Sequence, residues 1–244
     1  MKPPVSACWT PIASSASSAS SAGSAGSFDA YLALPPAGCG PGLLLLQEIF
    51  GVNHHIRAMA ELYALHGFVV LAPDVFWQQV KRLDIGYASE DIQRGRALAM
   101  AADKAALQRD LADSVQALRA RPEVQGRGIG AVGYCMGGRL AYVAAATAGV
   151  DAAVAYYGGG IQDMPELAAK ITCPMQFHYG ARDPNIPLTA VDKVRAAMAG
   201  KPAEVFVYEH ADHGFNCWAR GSYHAASAAL AHGRALQFLA ERLF

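Results

Sequence analysis

The stretch Ile129-Gly130-Ala131-Val132-Gly133-Tyr134-Cys135-Met136-Gly137-Gly138-Arg139-Leu140 decides the fold. An apolar run of strand length precedes Cys135, and an Ala-rich segment with helical periodicity follows it. Gly133-x-Cys135-x-Gly137 joins the two, which is the spacing of a nucleophile elbow with cysteine in place of serine. Side chains at the two glycine positions would clash with the neighbouring strand and helix. The stretch therefore predicts a strand, a tight turn that carries a thiol, and a helix.

This turn places the Cys135 thiol at the N-terminus of the following helix. Backbone N–H groups and the helix dipole favour the thiolate there, which is the nucleophilic form. The backbone N–H of Met136 is positioned to donate to an oxyanion. The alternative is a structural cysteine beside a glycine turn, because free cysteine is among the residues most often buried.

Beyond this stretch, apolar runs of strand length alternate with helix-period segments after Pro36. The predicted strands are residues 43–47, 68–72, 129–134, 152–157, 175–179 and 205–208, and the predicted helical segments are residues 53–66, 90–120, 137–149, 188–199 and 221–242. Strands separated by helices of about ten or more residues indicate βαβ units. We therefore predict one α/β domain with a mostly parallel central sheet that helices flank on both faces.

The N-terminal part of the chain differs in composition. Residues 13–27 contain only alanine, serine and glycine. Such a segment has nothing large to bury, so it reads either as a flexible linker or as an edge strand leading to Phe28 and Tyr31. We favour the edge strand. The expected organisation is an Ala/Ser-rich segment at residues 1–27 followed by a single domain at residues 28–244.

Charge and cysteine content exclude several classes of protein. Twenty basic and 20 acidic residues give a net charge of zero, which argues against a nucleic-acid or anionic-membrane partner. No apolar run approaches the roughly 18 residues of a membrane-spanning helix. The five cysteines are an odd number without a C-x-x-C pair, and no apolar leader follows the N-terminus. We expect a cytoplasmic protein without a metal or cofactor, present as a monomer or small homo-oligomer.

The partners of an elbow nucleophile are expected in the chain order nucleophile, acid, histidine. Asp183 follows the predicted strand at residues 175–179, and His213 follows the predicted strand at residues 205–208. The carboxyl ends of parallel strands are where α/β sheets gather their catalytic groups. Cys135, Asp183 and His213 therefore form a candidate triad.

Other residues in these regions allow different interpretations. His210 and His213 have a spacing that could hold a metal, but no carboxylate or thiol cluster completes the site. His54 and His55 follow Asn53 and are expected to cap or solvate a helix start. Trp77, like Tyr87 and Trp218, either lines an apolar pocket or packs.

Four segments together resemble the dienelactone hydrolase family from about residue 28 to the C-terminus. They are Gln47-Glu48-Ile49-Phe50-Gly51-Val52-Asn53, Ala72-Pro73-Asp74, Gly133-Tyr134-Cys135-Met136-Gly137-Gly138 and His213-Gly214-Phe215. The resemblance implies an α/β-hydrolase fold and cofactor-free cleavage of a small ester or lactone. It also implies that Cys135 is the nucleophile, His213 the general base and acid, and Asp183 the carboxylate that orients the histidine.

The same resemblance implies further roles. The backbone N–H groups of Ile49 and Met136 would form the oxyanion hole. Glu48 would lie beside Cys135 and help to switch the thiol to an attacking thiolate. Without the surrounding motif, Glu48 would be read as an exposed loop acid.

The chain departs from the family at the arginines that hold the carboxylate of a dienelactone. One family arginine lies four residues after the catalytic histidine, where this chain has Cys217. The other matches Gln93, with Arg94 and Arg96 close by, and Arg220 could also substitute. Cysteine cannot replace the planar, bidentate fork of arginine. The alternatives are therefore a general carboxylesterase or thioesterase with an apolar substrate, or a non-catalytic redox or binding protein on the same fold.

Overall fold

The computed structural model describes residues 4–15, 26–124 and 126–244. One eight-stranded sheet runs through the described residues in the order β1-β2-β4-β3-β5-β6-β7-β8. The strands are β1 (Ser6–Ala13), β2 (Ser27–Leu34), β3 (Gly42–Leu46), β4 (Val69–Pro73), β5 (Ile129–Tyr134), β6 (Ala152–Tyr156), β7 (Met175–Gly180) and β8 (Ala203–Tyr208). β1 and β2 pair antiparallel, β2 pairs antiparallel with β4, and the pairs from β4 to β8 are parallel.

Helices connect the parallel strands and cover both faces of the sheet, as predicted. They are α1 (His54–Leu65), α2 (Ser89–Ala101), α3 (Lys104–Arg119), α4 (Met136–Thr147), α5 (Pro165–Ala168), α6 (Leu188–Ala197) and α7 (Ala225–Leu243). Helix α3 packs on α4, while Tyr63 of α1 lies 5.3 Å from the His232 ring of α7.

The central strands are apolar because both of their faces are covered. Every residue of β3 through β7 is buried, which accounts for continuous runs such as Leu43–Leu46 rather than alternating patterns. β8 is only half buried, in keeping with its place at an edge of the sheet. All parallel strands end at the same side, so the loops after β3, β5, β7 and β8 meet there.

Two features differ from the sequence prediction. The segment predicted as helical over residues 90–120 is two helices, because the backbone turns out of the helical region at Ala102 and Asp103. The Asp103 carboxylate then caps α3 by accepting from the N–H groups of Ala105 and Ala106.

The N-terminus also differs. Residues 6–13 form β1 at the edge of the sheet, so the boundary expected at residue 28 does not separate them from it. Phe28 and Tyr31 belong to β2, which lies between β1 and β4 and is therefore not an edge strand. Residues 16–25, which hold most of the Ala/Ser-rich segment, lie outside the described residues. For these residues the edge strand therefore stays a prediction, with the flexible linker as its alternative.

None of the helices in the described residues is both apolar enough and long enough to cross a bilayer.

Candidate active site

Cys135 occupies the tight turn between β5 and α4 that the glycine pattern predicted. Its backbone is in a left-handed conformation, with φ 55° and ψ −114°, which is strained for a residue with a side chain. A Cβ on Gly133 would lie 1.9 Å from the carbonyl oxygen of Gly137, and a Cβ on Gly137 would lie 2.1 Å from that of Leu46. Both positions therefore require glycine for the turn to close against β3.

The structure brings Cys135, His213 and Asp183 together at the carboxyl side of the sheet. The Nε2 of His213 lies 3.1 Å from the Cys135 sulfur, and its Nδ1 lies 2.7 Å from Asp183 Oδ2. The other carboxylate oxygen of Asp183 accepts from the N–H groups of Asn185 and Ile186, at 2.8 and 3.2 Å. These loop contacts fix the carboxylate so that its second oxygen faces the imidazole.

The partners of His213 outweigh the effect of burial on its pKa. Burial alone would lower the pKa of His213, but the Cys135 sulfur and the Asp183 carboxylate outweigh it and raise that pKa to about 10. The ring of Tyr157 contacts the imidazole edge-to-face, with centroids 5.1 Å apart. His213 is therefore held in one orientation, and its environment favours the imidazolium form.

Two backbone donors predicted for an oxyanion hole border the same space. Ile49 and Met136 both line a cavity of about 270 Å³ that also contains Cys135 and His213. Met136 is the first residue of α4, so the helix itself leaves its N–H without a partner. A Cβ on Gly95 of α2 would lie 2.5 Å from the Ile49 carbonyl oxygen, so the glycine lets α2 pack directly against the Ile49 loop.

Glu48 is buried and ion-paired, so the interpretation of an exposed loop acid is wrong. Its Oε1 accepts from Arg220 Nη1 at 2.9 Å, and no hydrogen bond joins Glu48 to Cys135. Burial raises the pKa of Glu48, although Arg220 and His213 oppose that shift. A Cβ on Gly214 would lie 2.4 Å from Arg220 Nη1, so the glycine after His213 makes room for the guanidinium.

Cys217 fills the position of the missing family arginine and lies behind this ion pair. The residue is fully buried, and its thiol donates to the Tyr87 hydroxyl at 3.3 Å. The Asn53 side chain donates to the same hydroxyl at 3.0 Å. The Arg220 guanidinium lies over the rings of Tyr87 and Phe50, with its carbon 5.9 and 5.6 Å from their centroids. Arg220 thus reaches from the loop before α7 into the space beside Glu48.

Of the residues expected to bind substrate, two line the Cys135 cavity and two do not. Arg96 and Arg220 are lining residues, whereas Arg94 is exposed on α2 and does not contribute. Trp77 does not line the cavity either. It stacks on Phe28 with centroids 5.6 Å apart, and its indole N–H donates to Asp110 at 2.8 Å. Trp77 therefore has a packing role between β2 and α3.

Two polar lining residues were missed by the sequence reasoning. Asn185 follows Asp183 by two positions, and Arg139 follows Cys135 by four. The spacing of four was an available signal, because it places Arg139 one helical turn beyond the elbow.

Residues with metal-ligand chemistry do gather beside the site, but their partners argue against a cation. Glu48, His55 and Cys217 are all buried, and their ligand atoms lie within 4.8 Å of one another. The carboxylate already pairs with Arg220, whose positive charge would repel a metal ion. The expectation that His55 caps or solvates α1 is wrong, because its ring is buried against Trp218 at 4.4 Å.

The pair His210 and His213 is likewise committed to other groups. A ring nitrogen of His210 lies 3.0 Å from Arg182 Nη2, and both nitrogens of His213 face Asp183 and Cys135. The spacing of three residues therefore does not assemble a metal site from these two rings.

Comparison with known proteins agrees with this arrangement. The sequence model described as "Dienelactone hydrolase family" matches residues 28–243. The carboxymethylenebutenolidase of Pseudomonas sp. strain P51 is 33% identical over 219 residues, covering 87% of this chain and 89% of that protein. The carboxymethylenebutenolidase of Pseudomonas putida is 33% identical over 216 residues, with 87% and 91% covered.

Solved structures show the same fold over nearly the full length. A candidate dienelactone hydrolase from Klebsiella pneumoniae superposes with a TM-score of 0.84 at 29% identity, covering 97% of this chain and 99% of that one. A dienelactone hydrolase-like promiscuous phosphotriesterase from metagenomic libraries, at 23% identity, shares the fold with a TM-score of 0.80 and 98% and 99% covered. The chain therefore belongs to the dienelactone hydrolase family and is an α/β-hydrolase enzyme that acts on ester or lactone bonds.

Proposed function

We propose that this enzyme cleaves a small ester or lactone by attack of the Cys135 thiolate in a Cys–His–Asp triad. The observation that carries the proposal is the hydrogen-bonded line from Asp183 through His213 to the Cys135 sulfur, with spacings of 2.7 and 3.1 Å. A nucleophile bonded to a base, and a base oriented by a carboxylate, is the arrangement that acyl transfer requires.

In the first half of the reaction the Cys135 sulfur bonds to the carbonyl carbon, and the carbonyl oxygen becomes an oxyanion. The N–H groups of Ile49 and Met136 donate to that oxyanion. The intermediate collapses by breaking the bond to the leaving oxygen, which takes the proton from His213 Nε2. The alcohol forms and the acyl group stays on Cys135 as a thioester.

In the second half His213 takes a proton from water, and the hydroxide oxygen bonds to the thioester carbon. Collapse of this intermediate breaks the carbon–sulfur bond, releases the acid and restores the thiolate beside the imidazolium. With a lactone the alcohol and the acid remain in one molecule, so the product is a hydroxy acid. Asp183 orients the imidazole through its hydrogen bond to Nδ1 and stabilises the imidazolium.

Glu48 and Arg220 are proposed to tune this cycle. The buried carboxyl has a raised pKa and lies against a cation, so a change in its distance from Arg220 changes its tendency to take up a proton. A substrate carboxylate bound to Arg220 would compete with Glu48 for the guanidinium. Arg96, Arg139 and Arg220 are the lining arginines available for such a carboxylate in place of the family arginine at Cys217.

The test compares kcat/KM for a dienelactone and for 4-nitrophenyl acetate in the wild type, Cys135→Ala and Cys8→Ala. The exposed Cys8 of β1 is the matched control. Cys135→Ala should lower kcat/KM for the better substrate by about 1,000-fold or more, and Cys8→Ala should leave it unchanged. Substantial activity in Cys135→Ala would exclude Cys135 as the nucleophile.

Alkylation with iodoacetamide at pH 6, read by mass spectrometry, separates the catalytic proposal from a redox or binding role. Cys135 should react faster than Cys8, and His213→Ala should remove that advantage, because the imidazolium stabilises the thiolate. Fast alkylation together with no turnover of either substrate would favour the non-catalytic alternative.

A further inference from the structure

A second cavity adjoins the cavity that contains Cys135. It has a volume of about 590 Å³, against about 270 Å³ for the Cys135 cavity, and falls within the range of small-molecule sites. Ile49, Arg96, Ala99 and Arg139 line both cavities, so the two spaces share one wall. We call the larger space the apolar cavity.

The apolar cavity lies between α2, α3, α4 and the short helix α5. Its apolar lining includes Met100, Leu107, Val143, Met164 and Leu167. The charged groups that border it are Arg96, Lys104, Arg139 and Asp163. Long basic side chains bury their carbon stems along apolar surfaces while the charged ends reach water. The space therefore offers hydrocarbon contact near the shared wall.

Chemistry at the sulfur decides which half of a substrate reaches this space. His213 delivers the proton to the leaving oxygen, so the alcohol half must lie on the His213 side of the carbonyl carbon. His213, Asn185 and Arg220 line only the Cys135 cavity, whereas Ile49, which would hold the oxyanion, also lines the apolar cavity. The apolar cavity thus opens on the side away from the leaving group.

We propose that the apolar cavity binds the acyl chain of the substrate, which makes the enzyme selective for esters or thioesters of medium-chain apolar acids. This inference rests on the proposed Cys135 mechanism and adds the substrate class to it. Burial of the acyl chain in the cavity should raise kcat/KM, because each buried methylene group contributes about fourfold.

The main experiment measures kcat/KM for 4-nitrophenyl acetate and 4-nitrophenyl octanoate. In the wild type the octanoate should exceed the acetate by about tenfold or more. Leu167→Trp fills the cavity and should abolish that preference while leaving kcat/KM for the acetate within about twofold. Leu188→Trp is the matched control, since Leu188 is exposed on α6 and lines neither cavity, and it should behave as the wild type.

Val143→Trp places the same bulk from α4 and should give the same loss, which guards against a folding defect in α5. A second pair of substrates, octyl acetate and ethyl acetate, carries the variable chain on the alcohol half of the ester. The enzyme should have similar kcat/KM values for these two. Preference for octyl acetate, or an octanoate preference that survives both tryptophan variants, would overturn the proposal.

A binding measurement separates this inference from the catalytic proposal. Titration of methyl octanoate into Cys135→Ala by calorimetry should show saturable binding that Leu167→Trp removes. Binding without wild-type turnover would mean that the triad proposal fails and the acyl site stands. If 4-nitrophenyl acetate is hydrolysed, but methyl octanoate does not bind and 4-nitrophenyl octanoate is not preferred, the triad proposal stands and the acyl-site proposal fails.

Discussion

Two histidines beside the same pair of strands have opposite electrostatic environments. His178 lies within β7 and is fully buried, and its ring nitrogens contact the Tyr208 hydroxyl and the Gln176 side-chain oxygen, each at 2.8 Å. Burial, together with the nearby positive charge of Arg234, lowers the pKa of His178 to about 3. His213, on the loop after β8, faces a carboxylate and a sulfur, and its pKa is raised to about 10.

Burial disfavours the charged ring at both places, so burial alone does not separate them. What differs is the charge of the partners: neutral hydroxyl and amide groups around His178, and Asp183 and Cys135 around His213. One buried imidazole is therefore a structural polar group, and the other can store and deliver a proton. The charge of the partners, here Cys135 and Asp183, decides which role a buried histidine takes.

Removing the negative charge next to His213 should have the largest effect. Asp183→Asn retains a side chain of the same shape but cannot stabilise imidazolium, so kcat/KM for the better ester should fall by about 1,000-fold. Steady-state kinetics on purified variants would measure this. Asp212→Asn changes an exposed neighbour of His213 and serves as the control. Similar losses in both variants would mean that the charge of Asp183 is not what distinguishes His213.

Replacing the arginine that pairs with Glu48 beside His213 should have an intermediate effect on kcat/KM. Arg220→Gln removes the ion-pair partner of buried Glu48, so the pKa of Glu48 rises further and its ionised form is lost at higher pH. We expect kcat/KM to fall by about 100-fold at neutral pH and its acid limb to move to higher pH.

Arg234→Gln is the matched change in the other region. Arg234 lies over the Phe206 ring and donates to Tyr208 next to His178. This variant should leave the pH profile of kcat/KM where it is. Equal shifts in the two variants would show that the effect comes from overall charge and not from Glu48.

The smallest effect concerns stability. Because the pKa of His178 in the folded state is lower than the ordinary histidine value of 6.5, the unfolded chain binds the proton more readily. The contribution of neutral His178 is complete above about pH 6.5 and is lost as pH falls towards about 3.

Between pH 7 and pH 5 the free energy of unfolding should fall by about 2 kcal/mol less in His178→Phe than in the wild type. Urea unfolding at the two pH values, in the wild type and the variant, measures the difference. His55 and His232 have pKa values lowered to about 4 by burial, so part of the pH dependence should remain. Parallel curves for the wild type and His178→Phe would contradict the interpretation of His178 as a neutral buried group.

Much of the arrangement could be predicted because its determinants are local. The glycines around Cys135 are required by contacts of about 2 Å within one turn, and the buried strands show as short apolar runs. Cys135, Asp183 and His213 follow the ends of β5, β7 and β8 in the chain order expected for an elbow nucleophile and its partners. The family assignment that this pattern suggested is confirmed by the match over residues 28–243.

What the sequence did not reveal depends on distant contacts. Glu48 and Arg220 are 172 positions apart, and nothing near either residue signals that they pair. His55 stands next to a polar helix cap, yet its ring turns inward against Trp218. Trp77 is an aromatic residue of the kind that lines pockets, and only its stacking on Phe28 of β2 shows that it packs against the core.

The edge strand β1 bears on how copies of the chain meet in concentrated solution. Pro11 lies within β1 opposite Asp29 of β2, and proline has no N–H to donate. A strand from another molecule that tried to extend the sheet beyond β1 would find a donor missing midway along it. Edge-to-edge sheet growth, and the aggregation that follows from it, is thus opposed at this end by a single residue. Pro11→Val should make the protein more prone to aggregate on prolonged incubation without altering its turnover.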